Sequence, residues 1–378
     1  MNKGPNNGVR TWIEVDKKAL KNNYKLFRNL LSRKTGLMAV VKSNAYGHGL
    51  VDYSRAVSKL GADWLGVDSI VEGKRLREEG VVTPILVLGF TLTDKVNEAV
   101  NNDISVTVSN FDLLKKLPRI LQKQLRVHIK VDTGMHRQGL LPHEMKPVVQ
   151  FLKKNKKLIR VEGLYTHFSS AKNPSFPSTT RQQLAVFKKW TSAFNEAGFK
   201  PLIHAAATGA AILFPESHFD MVRVGIGLYG LWPSKETQAF AERKLRIKPI
   251  LAWKTVVSEV KKFKNPVKIG YDLTEELPPN STIAICPIGY WHGFPRSLSS
   301  TGQVLVGGKR AKVIGKVSMD MIAIDVTGIS GVRSGSEVVI IGSQGGDTMS
   351  ADRVADLADT VNYEILTRIN PLIRKIYR

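Results

Sequence analysis

The chain holds one cysteine in 378 residues, Cys286, which excludes an intrachain disulfide and a cysteine-held metal cluster. Such scarcity agrees with a reducing compartment. No apolar run approaches the ~18 residues that a membrane-crossing helix needs. The first residues, MNKGPNNGVRTW, contain no apolar stretch of the signal-peptide kind. These absences predict a soluble, cytoplasmic protein with no membrane partner, and no metal site is expected. Acidic residues are scarce as well, 32 against 56 lysines and arginines, for a net charge of +24. An excess of this size raises nucleic-acid binding as a candidate function. The cations nevertheless fall in short clusters, 153–157 and 261–264 among them, interleaved with helical apolar positions and forming no long basic arm. A solvated basic surface is expected, and no nucleic-acid partner.

With 43% hydrophobic residues the chain can bury a sizeable core, and its length exceeds the ~100–200 residues usual for one domain. From residue 37 to 230, short Val/Ile/Leu-rich runs alternate with longer segments of helical period. The runs are LMAVVK (37–42), WLGVD (64–68), ILVLG (85–89), SVTVS (105–109), RVHIKVD (126–132), VEGLYTH (161–167), LIHAA (202–206) and MVRVG (221–225). Apolar runs without polar alternation suit strands buried on both faces. The connecting segments are long enough for crossover helices, so a parallel sheet is implied. Leu184, Phe187, Trp190 and Phe194, for example, mark one face of an amphipathic helix. Eight strand-helix units predict a (β/α)8 TIM-type barrel rather than an open doubly wound sheet. Beyond about residue 243 the pattern changes to strand-like segments separated by Gly, Pro and Asn turns, which predicts a mainly-β C-terminal domain. The expected division is 1–242 and 243–378, with TWIEV (11–15) joining the β domain.

Catalytic groups of such barrels lie at the C-terminal ends of strands and in the loops after them. Those positions hold Lys42, Asp68, Lys130, Arg137, His167, Thr208 and Arg223. Lys42 ends an apolar strand, where burial lowers an ammonium's pKa and makes a neutral, nucleophilic amine accessible. Taken alone, a lysine after a strand is ordinarily a solvated loop residue. The string from Gly225 to Gly230 fits GxGxxG, yet it follows the eighth run and leads into Trp232 and Pro233. A dinucleotide fingerprint belongs after the first strand of a βαβ unit, where it opens a helix, so that reading is rejected.

The segment VVKSNAYGHG (40–49) closely resembles the attachment signature for pyridoxal 5'-phosphate (PLP) in the alanine racemase family. Further segments resemble the same family in the same order: KVDTGMHRQG (130–139), EGLYTHFSSA (162–171), VRVGIGLYG (222–230), PIGYWHGFPR (287–296), GKVSMDM (315–321) and NYEILTRI (362–369). The likeness spans nearly the whole chain. It implies a PLP-dependent isomerase that interconverts L- and D-alanine and supplies D-alanine for peptidoglycan. It also implies a homodimer in which the β domain of one subunit closes the barrel mouth of the other. Lys42 is implied as the Schiff-base lysine and one of two catalytic bases, with Tyr290 as the second. Two are needed because a planar carbanion has two faces, and a base fixed on one face returns the proton to the side it came from. A tyrosine with an ordinary pKa of about 10 needs nearby positive charge to ionise, and His167 and Arg223 are the implied relay behind it.

The remaining roles follow from the same resemblance. Arg223 would hydrogen-bond the pyridine nitrogen and, by keeping its own proton, leave that nitrogen unprotonated. Arg137 would contact the cofactor's phenolic oxygen and the substrate carboxylate. Lys130 matches a lysine often carbamylated in the family, which would pair with Arg137; unmodified, it would set two cations together. The hydroxyls of Tyr46, Thr208 and Tyr363 with the N–H groups of Gly225 and Ile226 would form the phosphate site. Met319 would offer a backbone contact to the substrate carboxylate, while Asp320 and Tyr271 would line the access path. Three positions depart from the family's habit: His292 stands where aspartate is usual, Ala207 where asparagine is common, and Met321 where glutamine is common. They bear on the polarity of the access path. A broader racemase acting on serine or lysine is the close alternative, since one or two side chains near the β-carbon decide such specificity. A PLP decarboxylase or aldolase on the same barrel would lack Tyr290.

Overall fold

The computed structural model describes residues 8–117 and 121–378. Residues 1–7, part of the stretch read for a signal-like segment, lie outside the described residues. The chain forms two compact units. One comprises Lys18–Ala45 and Leu50–Pro249; the other takes the chain up to Lys17, Tyr46–Gly49 and Ile250–Arg378. Strand β1 (Thr11–Val15) belongs to the second unit.

The first unit is the expected parallel barrel. Its strands are β2 (Gly36–Val40), β3 (Trp64–Val67), β4 (Ile85–Val87), β5 (Ser105–Val108), β6 (Leu125–Lys130), β7 (Ile159–Tyr165), β8 (Leu202–His204) and β9 (Met221–Val224). They pair in the order β8-β7-β6-β5-β4-β3-β2-β9. All eight runs read from the sequence form strands, because a strand covered on both faces must be apolar throughout; β4, β5 and β9 are buried at every position. Between β8 and β9 the ring is closed by the bridge of Ala207 to Arg223, in which Arg223 N–H donates to Ala206 O at 2.9 Å, and by Asp220 N–H, which donates to Ile203 O at 3.0 Å.

Helices fill the connections. The longest, Pro177–Glu196, starts with proline at its first turn and buries Leu184, Phe187, Trp190 and Phe194 on one stripe. Removing four such side chains from water stabilises the barrel by roughly 2 kcal/mol each. The helix stops before Gly198, whose φ of +83° reverses the chain.

The second unit is mainly β. Its further strands are β10 (Leu251–Val256), β11 (Glu259–Phe263), β12 (Val267–Ile269), β13 (Glu275–Leu277), β14 (Ser281–Cys286), β15 (Gln303–Val306), β16 (Lys309–Ile314), β17 (Ile322–Asp325), β18 (Glu337–Gln344), β19 (Asp347–Met349) and β20 (Arg374–Tyr377). The main sheet runs β11-β14-β17-β16-β15-β18-β10-β1-β20. β1 lies antiparallel to β10 and parallel to β20. β10 alternates buried and half-buried residues, as one covered face requires, and its Trp253 packs near Phe294 with ring centroids 6.4 Å apart. Cys286 is buried and free.

Gly230 combines φ +80° with a site where an added Cβ would lie 1.7 Å from Lys248 O. Gly198 has a similar φ of +83° but open space around it. Gly230→Ala should therefore lower the thermal midpoint of the barrel by roughly 5 °C or more, and Gly198→Ala by clearly less. Equal losses in a calorimetric scan would contradict this packing.

Candidate active site

Lys42 sits two residues beyond the end of β2, at the opening of a left-handed turn. Ser43, Asn44, Ala45 and Tyr46 have φ of 55°, 55°, 50° and 51°. For non-glycine residues this costs ~1–2 kcal/mol each, so the surroundings must hold the turn in place. Ala45 N–H donates to Val41 O at 2.8 Å, Asn44 N–H to Glu72 Oε1 at 3.1 Å, and Leu50 N–H to Asn44 Oδ1 at 2.9 Å. The other Glu72 oxygen accepts Asp68 N–H at 2.8 Å, tying the loop after β3 to the lysine turn. Asp68 Oδ1 then lies 3.6 Å from Lys42 Nζ. Lys42 was expected to be buried; its side chain is instead 39% exposed and faces this carboxylate, because β2 ends at Val40 and the lysine stands past the strand on the rim.

Arg223 is the opposite case. It is almost fully buried, and its guanidinium is satisfied by strand ends. Nη1 donates to His204 Nδ1 at 2.8 Å and His204 O at 3.2 Å; Nη2 donates to Thr166 O at 2.7 Å and Ala205 O at 2.9 Å, with His167 Nδ1 at 3.4 Å. Burial draws the guanidinium down to about 10, which leaves it charged at neutral pH. The Tyr165 ring underlies the cluster, with Arg223 Cζ 5.1 Å and Lys130 Nζ 5.7 Å from its centroid.

Burial and this charge together lower the proton affinity of its neighbours. Burial, then Arg223, Arg137 and Lys42, lower Lys130 to about 8. Burial, then Arg223 and Lys130, lower His167 to about 3. Lys130 Nζ donates to Gln138 Oε1 at 2.9 Å, while Arg137 is exposed. Thr208 opens the helix Thr208–Leu213, and its hydroxyl accepts Gly225 N–H at 3.1 Å. Thr208, Gly225 and Ile226 are all buried. Lys42, Lys130, Arg137, His167, Thr208, Arg223, Gly225 and Ile226 thus belong to one unit.

The other candidate residues lie in the β unit. Tyr46 and Tyr363 bring their rings to 6.1 Å, and burial pushes the Tyr46 hydroxyl up to about 12. Both phenols are protonated donors at neutral pH. Tyr290 is 44% exposed in the short turn Tyr290–His292. That turn lies on the segment carrying Met319 and Asp320: Tyr290 N–H donates to Ser318 O at 3.1 Å and Trp291 N–H to Met319 O at 3.0 Å. Gly289 permits the approach, since a Cβ there would stand 2.2 Å from Ser318 O. His292, one of the departures, is buried, and its Nδ1 accepts Gly289 N–H at 3.2 Å, closing the turn. Ala207 is the residue of the closing bridge, and Met321 is exposed. Tyr271 is exposed beside Asp272, which pairs with Lys316.

Sequence reasoning missed Glu72, Gln138, Tyr165 and His204, which hold the named residues in place. Their only signal was position: Tyr165 and His204 sat inside strand runs and were read as strand.

A (β/α)8 barrel with this lysine and sealed arginine at its strand ends, continued by a mainly-β unit, defines a class of barrel enzymes with an appended β domain. The family described as alanine racemase, N-terminal domain, matches residues 15–233, and alanine racemase, C-terminal domain, matches 250–377. The chain belongs to the alanine racemase family. It is 40% identical to an alanine racemase of Methanococcus maripaludis, over 97% of this chain and 98% of the relative. It is 39% identical to alanine racemase 2 of Bacillus subtilis, over 97% and 94%. Among solved structures, alanine racemase of Clostridium difficile 630 matches with a TM-score of 0.91 at 32% identity, covering 98% of this chain and 96% of that one. That of Bacillus anthracis with bound L-Ala-P matches at 0.91 and 34%, covering 98% and 95%.

His128 and His167 are both lowered to about 3, and His204 falls well below its ordinary value. Each folded ring refuses a proton that the unfolded chain accepts, so stability falls as pH drops from about 6.5 toward 3. In 15N-histidine NMR spectra these three rings should stay neutral from pH 8 to pH 5. Titration of any of them near 6.5 would contradict the electrostatics described.

Proposed function

We propose that this chain interconverts L- and D-alanine with PLP, using Lys42 and Tyr290 as bases on opposite faces of the substrate. The observation that carries the reading is the full-length kinship to alanine racemases together with Lys42 and Arg223 at the strand ends of the barrel.

The donor chemistry fits the cofactor. By the same kinship Arg223 would face the ring nitrogen and, by keeping its own proton, would leave that nitrogen unprotonated. By the same kinship the hydroxyls of Tyr46, Thr208 and Tyr363 and the N–H groups of Gly225 and Ile226 would bind the phosphate, for which a protonated phenol is a suitable donor. Lys42 Nζ would hold PLP covalently. When bound, PLP supplies an electron-withdrawing ring that acidifies the substrate's α-hydrogen. Arg137, exposed on the rim, would take the substrate carboxylate, aided by the backbone of Met319. Asp320 and Tyr271 would line the access path. Lys42 Nζ takes or returns the α-proton on one face, and Tyr290 Oη does so on the other, with His167 and Arg223 behind it. With its pKa drawn to about 8, the Lys130 amine sheds its proton readily enough to take up CO2, and the resulting carbamate would offset Arg137.

The kinship further supports a head-to-tail homodimer in which Tyr290 of one subunit faces Lys42 of the other. By the same kinship the product D-alanine would serve peptidoglycan synthesis, in the cytoplasm. Among the described residues no helix is long and apolar enough to cross a membrane. A broader amino-acid racemase is the second reading, favoured by His292 and Met321 in place of the usual residues near the access path.

Tyr290→Phe keeps the ring and removes the titrating oxygen. Cofactor binding should survive, and racemisation should fall ~10²–10⁴-fold, the loss typical of a general base. In D2O the variant should exchange the α-hydrogen of D-alanine faster than that of L-alanine. Equal exchange from both enantiomers would sink the two-base assignment. Lys42→Ala should abolish the visible absorbance of bound PLP. Mixing the two variants should restore one working site per heterodimer; continued inactivity after proven subunit exchange would exclude the shared site.

A further inference from the structure

Below Arg223 a second row of polar side chains threads the barrel interior, and the alanine-racemising reading makes no use of its far end. The row begins where Arg223 Nη1 meets His204 Nδ1 at 2.8 Å. His204 Nε2 lies 2.9 Å from His128 Nδ1, and His128 Nε2 lies 3.8 Å from Glu162 Oε2. His128 and His204 are wholly buried, and Glu162 has a side-chain exposure of 13%. Ser105 Oγ donates to Glu162 Oε2 at 2.5 Å, and Arg126 Nε stands 3.9 Å from the same oxygen.

The direction of every bond in this row is fixed by chemistry. A guanidinium has only donors, so His204 Nδ1 must accept. Burial and the Arg223 charge hold both rings neutral, with one proton each. The His204 proton is therefore on Nε2 and is given to His128 Nδ1. The His128 proton is left on Nε2, where among the described residues it finds no hydrogen-bond partner and points its N–H dipole toward the Glu162 carboxylate 3.8 Å away. A cation, two aligned imidazoles and an anion follow in sequence.

Two backbone features serve this row. The ladder between β6 and β7 pairs Val127 with Val161 and then His128 with Gly163, so Glu162 is an extra residue of a bulge. A bulge re-aims the side chain it carries. Beside it, Gly163 leaves the room that the His128 ring occupies, since a Cβ there would lie 2.0 Å from His128 Nδ1. The His128 ring is also fixed edge-on to Trp64 at 5.0 Å, and His204 is stacked on Tyr165 at 4.7 Å and 9°.

We propose that Glu162, acting through His128 and His204, is a positioning residue that holds the charge and orientation of the Arg223 guanidinium. The proposal rests on Arg223 facing the cofactor, and it adds an anion from the interior of the barrel to the groups that govern the rim.

The test uses Glu162→Gln, which keeps size and an acceptor oxygen but removes the charge, and His128→Phe, which interrupts the row. In 15N-histidine-labelled protein without cofactor, Glu162→Gln should move the Nε2–H resonance of His204, although His204 does not touch Glu162. This arm does not depend on racemase activity, so it stands or falls apart from the functional reading. In the holoenzyme each variant should lower kcat for alanine about tenfold with KM within twofold, and the double variant should lose no more than either alone. Glu162→Asp, which keeps the charge, should recover most of the rate. An unmoved His204 resonance in Glu162→Gln would overturn the proposal, as would kcat losses that multiply in the double variant. Should Glu162→Gln fail to fold, Ser105→Ala, which removes only the hydroxyl donor to the carboxylate, should shift the same resonance in the same direction; no shift there would equally refute it.

Discussion

A guanidinium sealed inside the barrel at Arg223 is the constraint around which the rest of the molecule is arranged. Burying such a charge is costly unless its donors are matched. Here the acceptors are Thr166 O, His204 O, Ala205 O and His204 Nδ1, all from the ends of β7 and β8 or the residues just after them. Backbone carbonyls at the ends of parallel strands lose their ladder partners, so the side chain and the strand ends satisfy one another. The same residue supplies the backbone bridge that joins β8 to β9. Barrel closure and the electrostatics of the rim therefore meet at this residue. Its chemical consequence is that Lys130, His167 and His204 all hold a proton less tightly than usual, with burial and then the Arg223 charge as causes.

The β unit handles a different problem, which is to present a tyrosine to solvent with its backbone fixed. Tyr290 is exposed, yet the N–H groups of Tyr290 and Trp291 are tied to Ser318 and Met319, and Asn370 Nδ2 donates to Trp291 O at 2.9 Å. Gly289 makes the close approach possible, and His292 closes the turn by accepting Gly289 N–H. A histidine can do this because a neutral imidazole has a lone pair to offer. Burial lowers the His292 pKa and keeps that lone pair available, although Asp320 pulls the other way.

Much of this was legible in the sequence, and the reasons are particular. Strands buried on both faces announce themselves as unbroken apolar runs, so β2 to β9 could be read directly from segments such as ILVLG and SVTVS. Lys42 and Arg223 were legible because barrel chemistry sits at strand ends. Periodicity is blind to a single inserted residue, so the Glu162 bulge passed for ordinary strand, and with it the row through His128. Propensity also argues against four successive non-glycine residues in the left-handed region, so the turn from Ser43 to Tyr46 could not be anticipated from residue types. The exposure of Lys42 was misjudged for a related reason: a run of apolar letters does not say where the strand stops, and β2 stops two residues short of the lysine.

The central claim is that two bases on opposite faces of one substrate carbon do the chemistry. It is tested most directly by giving the unmodified enzyme L-alanine in D2O and separating the enantiomers early in the reaction by chiral chromatography with mass detection. The account predicts D-alanine carrying one solvent deuterium at the α-carbon, because the proton that leaves through one base is replaced through the other. D-alanine that retains its original α-hydrogen, or no D-alanine at all, would contradict it.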